Sequence, residues 1–142
     1  VERSRGLGDV YKRQGKYVAP QRLESLLKLN PYVANVHIHG DQKKYIIALI
    51  FLDRPSTEKF AKDNNVSFAS WEELVKSTFV QNMVRQLVSE TNSQLASYES
   101  IKKYLVLPNE LSIATGELTP SLKVKRKVLD KKFEHEIDEL YA

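Results

Sequence analysis

One lysine in this chain is set apart by what precedes and follows it. Gly116 to Lys127 reads G-E-L-T-P-S-L-K-V-K-R-K. Gly116 and Pro120 signal turns, and the apolar periodicity beyond them predicts an amphipathic helix from about Val124 to Tyr141. Lys123 therefore ends a loop directly ahead of a helix, at the rim of a folded domain. An ammonium held there can meet an anionic reactant, and lysine suits the task as a compact charge on a long stem. Its neighbours Lys125, Arg126, Lys127, Lys131 and Lys132 read as a solvated helix face, with Lys125 the alternative to Lys123.

Other residues offer weaker chemistry. His37 and His39 fall on one face of a strand, a spacing that can bind a metal. No third ligand lies nearby in sequence, so a solvated strand face is expected and no metal site is assigned. His135, between Glu134 and Glu136, reads as a surface histidine. The carboxylate groups Glu72-Glu73 and Glu134, Glu136, Asp138 and Glu139 are explained by capping and helix-face roles. The chain has no cysteine, which excludes disulfides, thiolate metal sites and a thiol nucleophile. Beyond residue 14 the glycines are Gly15, Gly40 and Gly116, too scattered to cradle a phosphate in a Gly-rich loop.

The elements that must position these residues form an α+β pattern. Pro20 opens a helix in which Leu23, Leu26 and Leu27 share a face, and Asn30-Pro31 ends it. Glu24 reads as a helix-start residue, and Tyr17 and Val18 as strand. Val33 to His39 alternates, Gly40-Asp41 signals a hairpin turn, and Tyr45 to Leu52 is apolar on both faces, hence central and covered. Pro55 to Asn64 is a short helix. Ser70-Trp71-Glu72-Glu73 has capping-box spacing and opens a helical region whose stripe runs from Leu74 to Val88. Ile101 to Leu107 is a third strand. The last helix is expected to bury Val128, Leu129, Phe133, Ile137 and Leu140. The result is a small three-stranded sheet packed against helices.

Charge separates two parts of the chain. The whole carries 22 Lys+Arg against 18 Asp+Glu. Ser4 to Gln14, S-R-G-L-G-D-V-Y-K-R-Q, is similar to the translation of a transposon-type sequencing-library adapter. Residues 1–14 are accordingly read as a non-native segment, with a natural basic arm as the alternative and Val1 to Arg3 fitting either, and 15–142 as the domain. Without the first fourteen residues 18 bases face 16 acids, an ordinary surface rather than a nucleic-acid footprint. The longest apolar run, Tyr45 to Leu52, is too short to span a bilayer, and no signal peptide is evident. A basic binding module for nucleic acid or an anionic membrane is the rival reading, resting on the Lys123–Lys132 face.

Two segments resemble one family, in the right order and about a domain length apart. Gly116 to Lys127 is similar to the C-terminal lysine motif of adenylate-forming acyl-CoA synthetases, in its long-chain fatty acid form. Gly15 to Glu24, G-K-Y-V-A-P-Q-R-L-E, resembles the segment opening that family's small C-terminal domain. Many members have glycine before the lysine; Leu122 here matches the long-chain branch. The resemblance covers Gly15 to Ala142 and implies the mobile C-terminal cap domain of a long-chain fatty acid–CoA ligase. A large N-terminal domain would then hold ATP, Mg2+ and the fatty acid, so residues 15–142 alone are expected to be inactive. It implies that Lys123 stabilises charge as a carboxylate attacks the α-phosphorus of ATP, a contribution of about 3–4 kcal/mol. It also implies that Gly15, Lys16 and Tyr17 line the path of the coenzyme A arm, where glycine lets backbone and ligand approach closely. A cytoplasmic enzyme, peripheral at the membrane if it meets one, follows from the same likeness. An adenylate-forming ligase for another acid stays open as an alternative.

Overall fold

The structure, a computed structural model, describes residues 11–13, 16–40 and 45–142, with the backbone alone at 11–13, 16 and 17. Gly15 and the tip of the turn expected at Gly40-Asp41 lie outside the described residues. Two short strands, β1 (Tyr11–Arg13) and β2 (Lys16–Val18), pair antiparallel. Helix α1 (Pro20–Lys28) follows with Pro20 in its first turn, where a missing N–H costs nothing. Leu23 and Leu27 are buried on the face it lays against the sheet.

The central sheet has the order β3-β4-β5, from β3 (Val33–His39), β4 (Ile46–Leu52) and β5 (Ile101–Leu107). β3 runs antiparallel to β4 and β5 runs parallel to it. Every residue of β4 is buried, as its uninterrupted apolar run predicts. Strand alternation splits that run between two cores. Ile46, Ala48, Ile50 and Leu52 join Leu23, Leu27 and the helices between β4 and β5. Ile47, Leu49 and Phe51 face the other way and join Leu129, Phe133 and Ile137 near the carboxyl end.

The helices covering the first face begin at recognisable caps. Asp53 accepts from the Ser56 N–H at 3.1 Å and opens α2 (Arg54–Asp63). Ser70 accepts from the Glu73 N–H at 3.1 Å and opens α3 (Trp71–Lys76), while Glu73 reaches back to the Ala69 N–H at 2.9 Å. The stripe from Leu74 to Val88 is not one helix. Ser77 leaves helical geometry at ψ 152°, and its hydroxyl accepts from the Val80 N–H to cap α4 (Thr78–Asn92). A serine offering a second N-cap outweighs an unbroken apolar stripe.

The carboxyl-terminal layer also departs from expectation. The helix predicted from Val124 starts at Arg126 and is divided into α5 (Arg126–Lys132) and α6 (Glu134–Tyr141). Phe133 sits at the break, with φ −109° and ψ 26°, its ring 5.6 Å from that of Phe51. The bend lets Leu129, Phe133 and Ile137 all reach the sheet, whereas Val128 faces outward with 39% of its surface exposed. Val124 instead pairs with Leu118 across a β-bridge.

Candidate functional site

Lys123 stands on a hairpin built for it. Thr119 N–H donates to the Lys123 carbonyl at 2.8 Å, and Lys123 N–H donates to the Thr119 hydroxyl at 3.1 Å. The three-residue loop between them, Pro120, Ser121 and Leu122, is closed by Leu122 N–H donating to the Thr119 carbonyl at 2.7 Å. Leu122 has φ +66°, the left-handed conformation that such loops require at their last position. Glycine adopts it freely; leucine holds it at a strain of about 1 kcal/mol. The departure noted in sequence therefore falls on a stressed backbone position, one residue before the lysine.

The Lys123 side chain is exposed, and among the described residues it forms no salt bridge. It borders an open cleft of about 300 Å³. Gln21, Ser25 and Lys28 of α1 form one wall, Asn35 of β3 lies behind, and Ser121 to Val124 form the other wall. The remaining basic residues are differently placed. Lys125 occupies the N-cap position of α5, and Lys127 and Lys131 are exposed. Arg126 and Lys132 are not the solvated face that was expected.

Three polar clasps fix the segment around this lysine. Arg126 donates from Nη1 to Glu24 Oε2 at 2.7 Å and from Nη2 to Glu24 Oε1 at 3.2 Å, a bidentate pair with little solvent exposure. Arg126 Nη1 also donates to the Ile38 carbonyl at 3.2 Å, and Glu24 Oε2 accepts the Ile38 N–H at 3.0 Å. Glu24 is thus a buried anchor rather than a helix-start residue. Lys132 forms an ion pair with Glu117, whose side chain is buried, and the Glu117 carbonyl accepts from Lys125 N–H at 2.8 Å. Burial opposes ionisation of Glu117. The Lys132 ammonium, the Thr115 hydroxyl and the Ser112 backbone outweigh it and hold the carboxyl below its ordinary value.

The third clasp corrects the expectation for the two histidines. His37 is fully buried and His39 is 19% exposed at its side chain, so they form no solvated strand face. His37 Nε2 lies 2.6 Å and His39 Nδ1 2.9 Å from the same oxygen, Oδ1 of Asp130 on α5. Partial burial of Asp130 disfavours its charge, yet the two imidazole donors hold the carboxyl well below the usual carboxylate range. The partner that sequence spacing lacked comes from more than ninety residues away. His135 is the surface residue expected, 80% exposed and 3.2 Å from Glu139.

Lys16 and Tyr17 lie on β2, paired with Arg13 and Lys12. Gly15 lies outside the described residues. Among the described residues the one cluster with three metal-ligating groups is His37, His39 and Asp130, and no helix is long and apolar enough to cross a membrane.

A three-stranded sheet covered on both faces, with an exposed lysine on a strained hairpin, defines an α+β cap domain that presents a lysine at its rim. The chain belongs to the AMP-binding enzyme C-terminal domain family, whose profile matches residues 10–142. It is 36% identical over 128 residues to the long-chain-fatty-acid–CoA ligase FadD15 of Mycobacterium tuberculosis, covering 89% of this chain and 21% of that protein. It is 33% identical over 135 residues to long-chain-fatty-acid–CoA ligase 1 of Cavia porcellus, covering 91% of this chain and 19% of the relative. The chain thus spans about a fifth of the length of these curated relatives. Among solved structures, the A-PCP didomain of a carboxylic acid reductase from Segniliparus rugosus, in complex with AMP, shares the fold with a TM-score of 0.71 at 20% identity. That match covers 93% of this chain and 17% of the other.

Proposed function

We propose that this domain is the mobile cap of an ATP-dependent long-chain fatty acid–CoA ligase, and that Lys123 serves its adenylation step. In that step a carboxylate oxygen of the acid attacks the α-phosphorus of ATP and pyrophosphate leaves. Two anionic groups approach, and charge gathers on the attacking and non-bridging oxygens. An ammonium brought beside those oxygens lowers that barrier, because it stabilises charge where it develops. Coenzyme A then attacks the acyl carbonyl through its thiol, and AMP leaves. Gly15, Lys16 and Tyr17 are assigned to the path of the pantetheine arm.

The observation that carries the reading is the contrast among the basic residues. Arg126 and Lys132 are committed to Glu24 and Glu117, Lys127 and Lys131 lie exposed on α5 away from the cleft, and Lys123 projects from its hairpin at the cleft's edge. The hairpin geometry constrains the lysine backbone, and four rotatable bonds let the amine follow the phosphate. ATP, the acyl chain and Mg2+ belong in this reading to a large N-terminal domain of the same enzyme. Mg2+ prefers oxygen ligands, and the cluster of two imidazoles with one carboxylate does not suit it, so no step is assigned to that ion here. The cytosol, with contact at a membrane surface, is the proposed setting.

The test uses the full-length parent enzyme. Lys123→Ala should lower the rate of acyl-adenylate formation by about 10²–10³-fold. Thioester formation from supplied acyl-adenylate and coenzyme A should remain within a few fold of the parent. Equal losses in the two half-reactions would remove Lys123 from the proposed role.

A further inference from the structure

The contact between β3 and α5 brings three metal-ligating groups together. His37 and His39 project from the same face of β3, two residues apart. Asp130 reaches them from α5, and the three ligand atoms all lie within 4.8 Å of one another. We propose that His37 Nε2, His39 Nδ1 and an Asp130 oxygen bind a divalent transition-metal ion, Zn2+ being the occupant this donor set favours.

The chemistry of the donors selects the ion. Two imidazole nitrogens and one carboxylate oxygen suit a borderline cation such as Zn2+, with water as the fourth ligand. Mg2+ and Ca2+ demand more oxygen donors and are excluded. The two imidazole-to-carboxylate distances require only a small adjustment, and the three donors already lie within 4.8 Å of one another. Tetrahedral zinc with bonds of about 2.0–2.1 Å sets its donors roughly 3.3 Å apart, against 2.6 and 2.9 Å between the nitrogens and Oδ1 now. The Asp130 side chain is 37% exposed and can withdraw by that fraction of an ångström, whereas His37 is held in the sheet. The exposed side of Asp130 is also the entry path for ion and water.

Binding moves each ring proton to the other nitrogen. For His37 that nitrogen is Nδ1, which is buried without a hydrogen-bond partner. A ligand lacking this outer support loses about 10–100-fold in metal affinity. The site therefore binds zinc in the micromolar range rather than the nanomolar. Occupied, it bolts α5 to β3 seven residues beyond Lys123, so the ion acts on the stability of the cap and not on phosphoryl chemistry.

The purified chain, stripped with chelator, is titrated with Zn2+ by calorimetry and its thermal unfolding followed. One ion per chain at micromolar Kd is expected. At a hundredfold excess over Kd, Tm should rise by about 5–10 °C. Co2+ should give the intense visible absorption of a tetrahedral site, and Mg2+ should do neither. His39→Ala and Asp130→Asn, whose side chains are not fully buried, should fold and lose both effects; His135→Ala should keep them. Binding weaker than about 100 µM, or binding that survives His39→Ala and Asp130→Asn, overturns the site. Loss of binding in His135→Ala overturns it too, by moving the ion to the surface pair with Glu139. None of these outcomes depends on the role of Lys123.

Discussion

The two faces of the central sheet are covered by different means. On one, α1, α3 and α4 lay down an apolar layer in which Leu23, Leu27, Leu74, Val80 and Val84 are almost wholly excluded from water. On the other, α5 and α6 contribute Leu129, Phe133 and Ile137, and polar clasps surround that small core. The first layer gains mainly from area, about 1.5–3 kcal/mol for each large side chain fully buried, with a few directed contacts such as Asn92 to the Ile101 backbone. The second gains less from area and more from directed contacts. Apolar burial is non-directional. A bidentate guanidinium–carboxylate pair is directional, because its two hydrogen bonds fix angle as well as distance. The layer that carries the lysine is thus specified by position where the other is specified by volume.

The clasp with the largest expected effect is Arg126–Glu24. Arg126→Met leaves the Glu24 carboxylate buried among α1 and β3 without its cation, and should destabilise the chain by about 3 kcal/mol. Arg126→Lys keeps a charge but loses the fork, and should cost about half as much. Urea unfolding of the three proteins measures both differences. If Arg126→Met cost under about 1 kcal/mol, area rather than direction would hold the second layer too.

Glu117 and Lys132 form a looser clasp, since the lysine is 44% exposed and can return to water. Glu117→Gln should therefore cost only about 1–2 kcal/mol at neutral pH. Its pH dependence separates charge from packing. The folded-state pKa of Glu117 is depressed from its ordinary value of 4.5. Its charge thus stabilises the fold fully above that value, and the contribution fades as pH falls through the depressed one. The Tm gap between wild type and Glu117→Gln should be widest near neutrality and shrink steadily below pH 4.5. A gap that is constant with pH would show that shape, not charge, is what Glu117 supplies.

Legibility in the sequence follows the same division. β4 and β5 were readable because burial on a sheet leaves its mark residue by residue in the strand itself. The Lys123 loop was readable because its turn residues are local. His37, His39 and Glu24 were misread because what buries them lies far away in sequence, at Asp130 and Arg126. A strand with histidine at alternate positions looks solvated until a helix is placed over it. The break at Phe133 was hidden for a related reason. Leu129, Phe133 and Ile137 keep helical spacing across it, and Phe133 N–H still donates to the Leu129 carbonyl and Ile137 N–H to that of Phe133, so the periodicity survives although Phe133 leaves helical geometry.

Leu122 tests the smallest effect and the most local one. It is 57% exposed, so its side chain contributes little burial, and its φ of +66° is what the hairpin needs. Leu122→Gly relieves about 1 kcal/mol of backbone strain but frees the unfolded chain by about 0.4–1 kcal/mol. The two nearly cancel, and stability should change by less than about 0.5 kcal/mol. Leu122→Val removes less volume, yet a β-branched residue in the left-handed region is a severe misfit. It should destabilise by about 1–2 kcal/mol and, on the role proposed for Lys123, slow adenylation more than thioester formation in the full-length parent. Should valine prove as harmless as glycine, backbone conformation at this residue would not be what aims the lysine. Should glycine prove the more damaging, the exposed leucine would be making a contact that an unpartnered loop does not need.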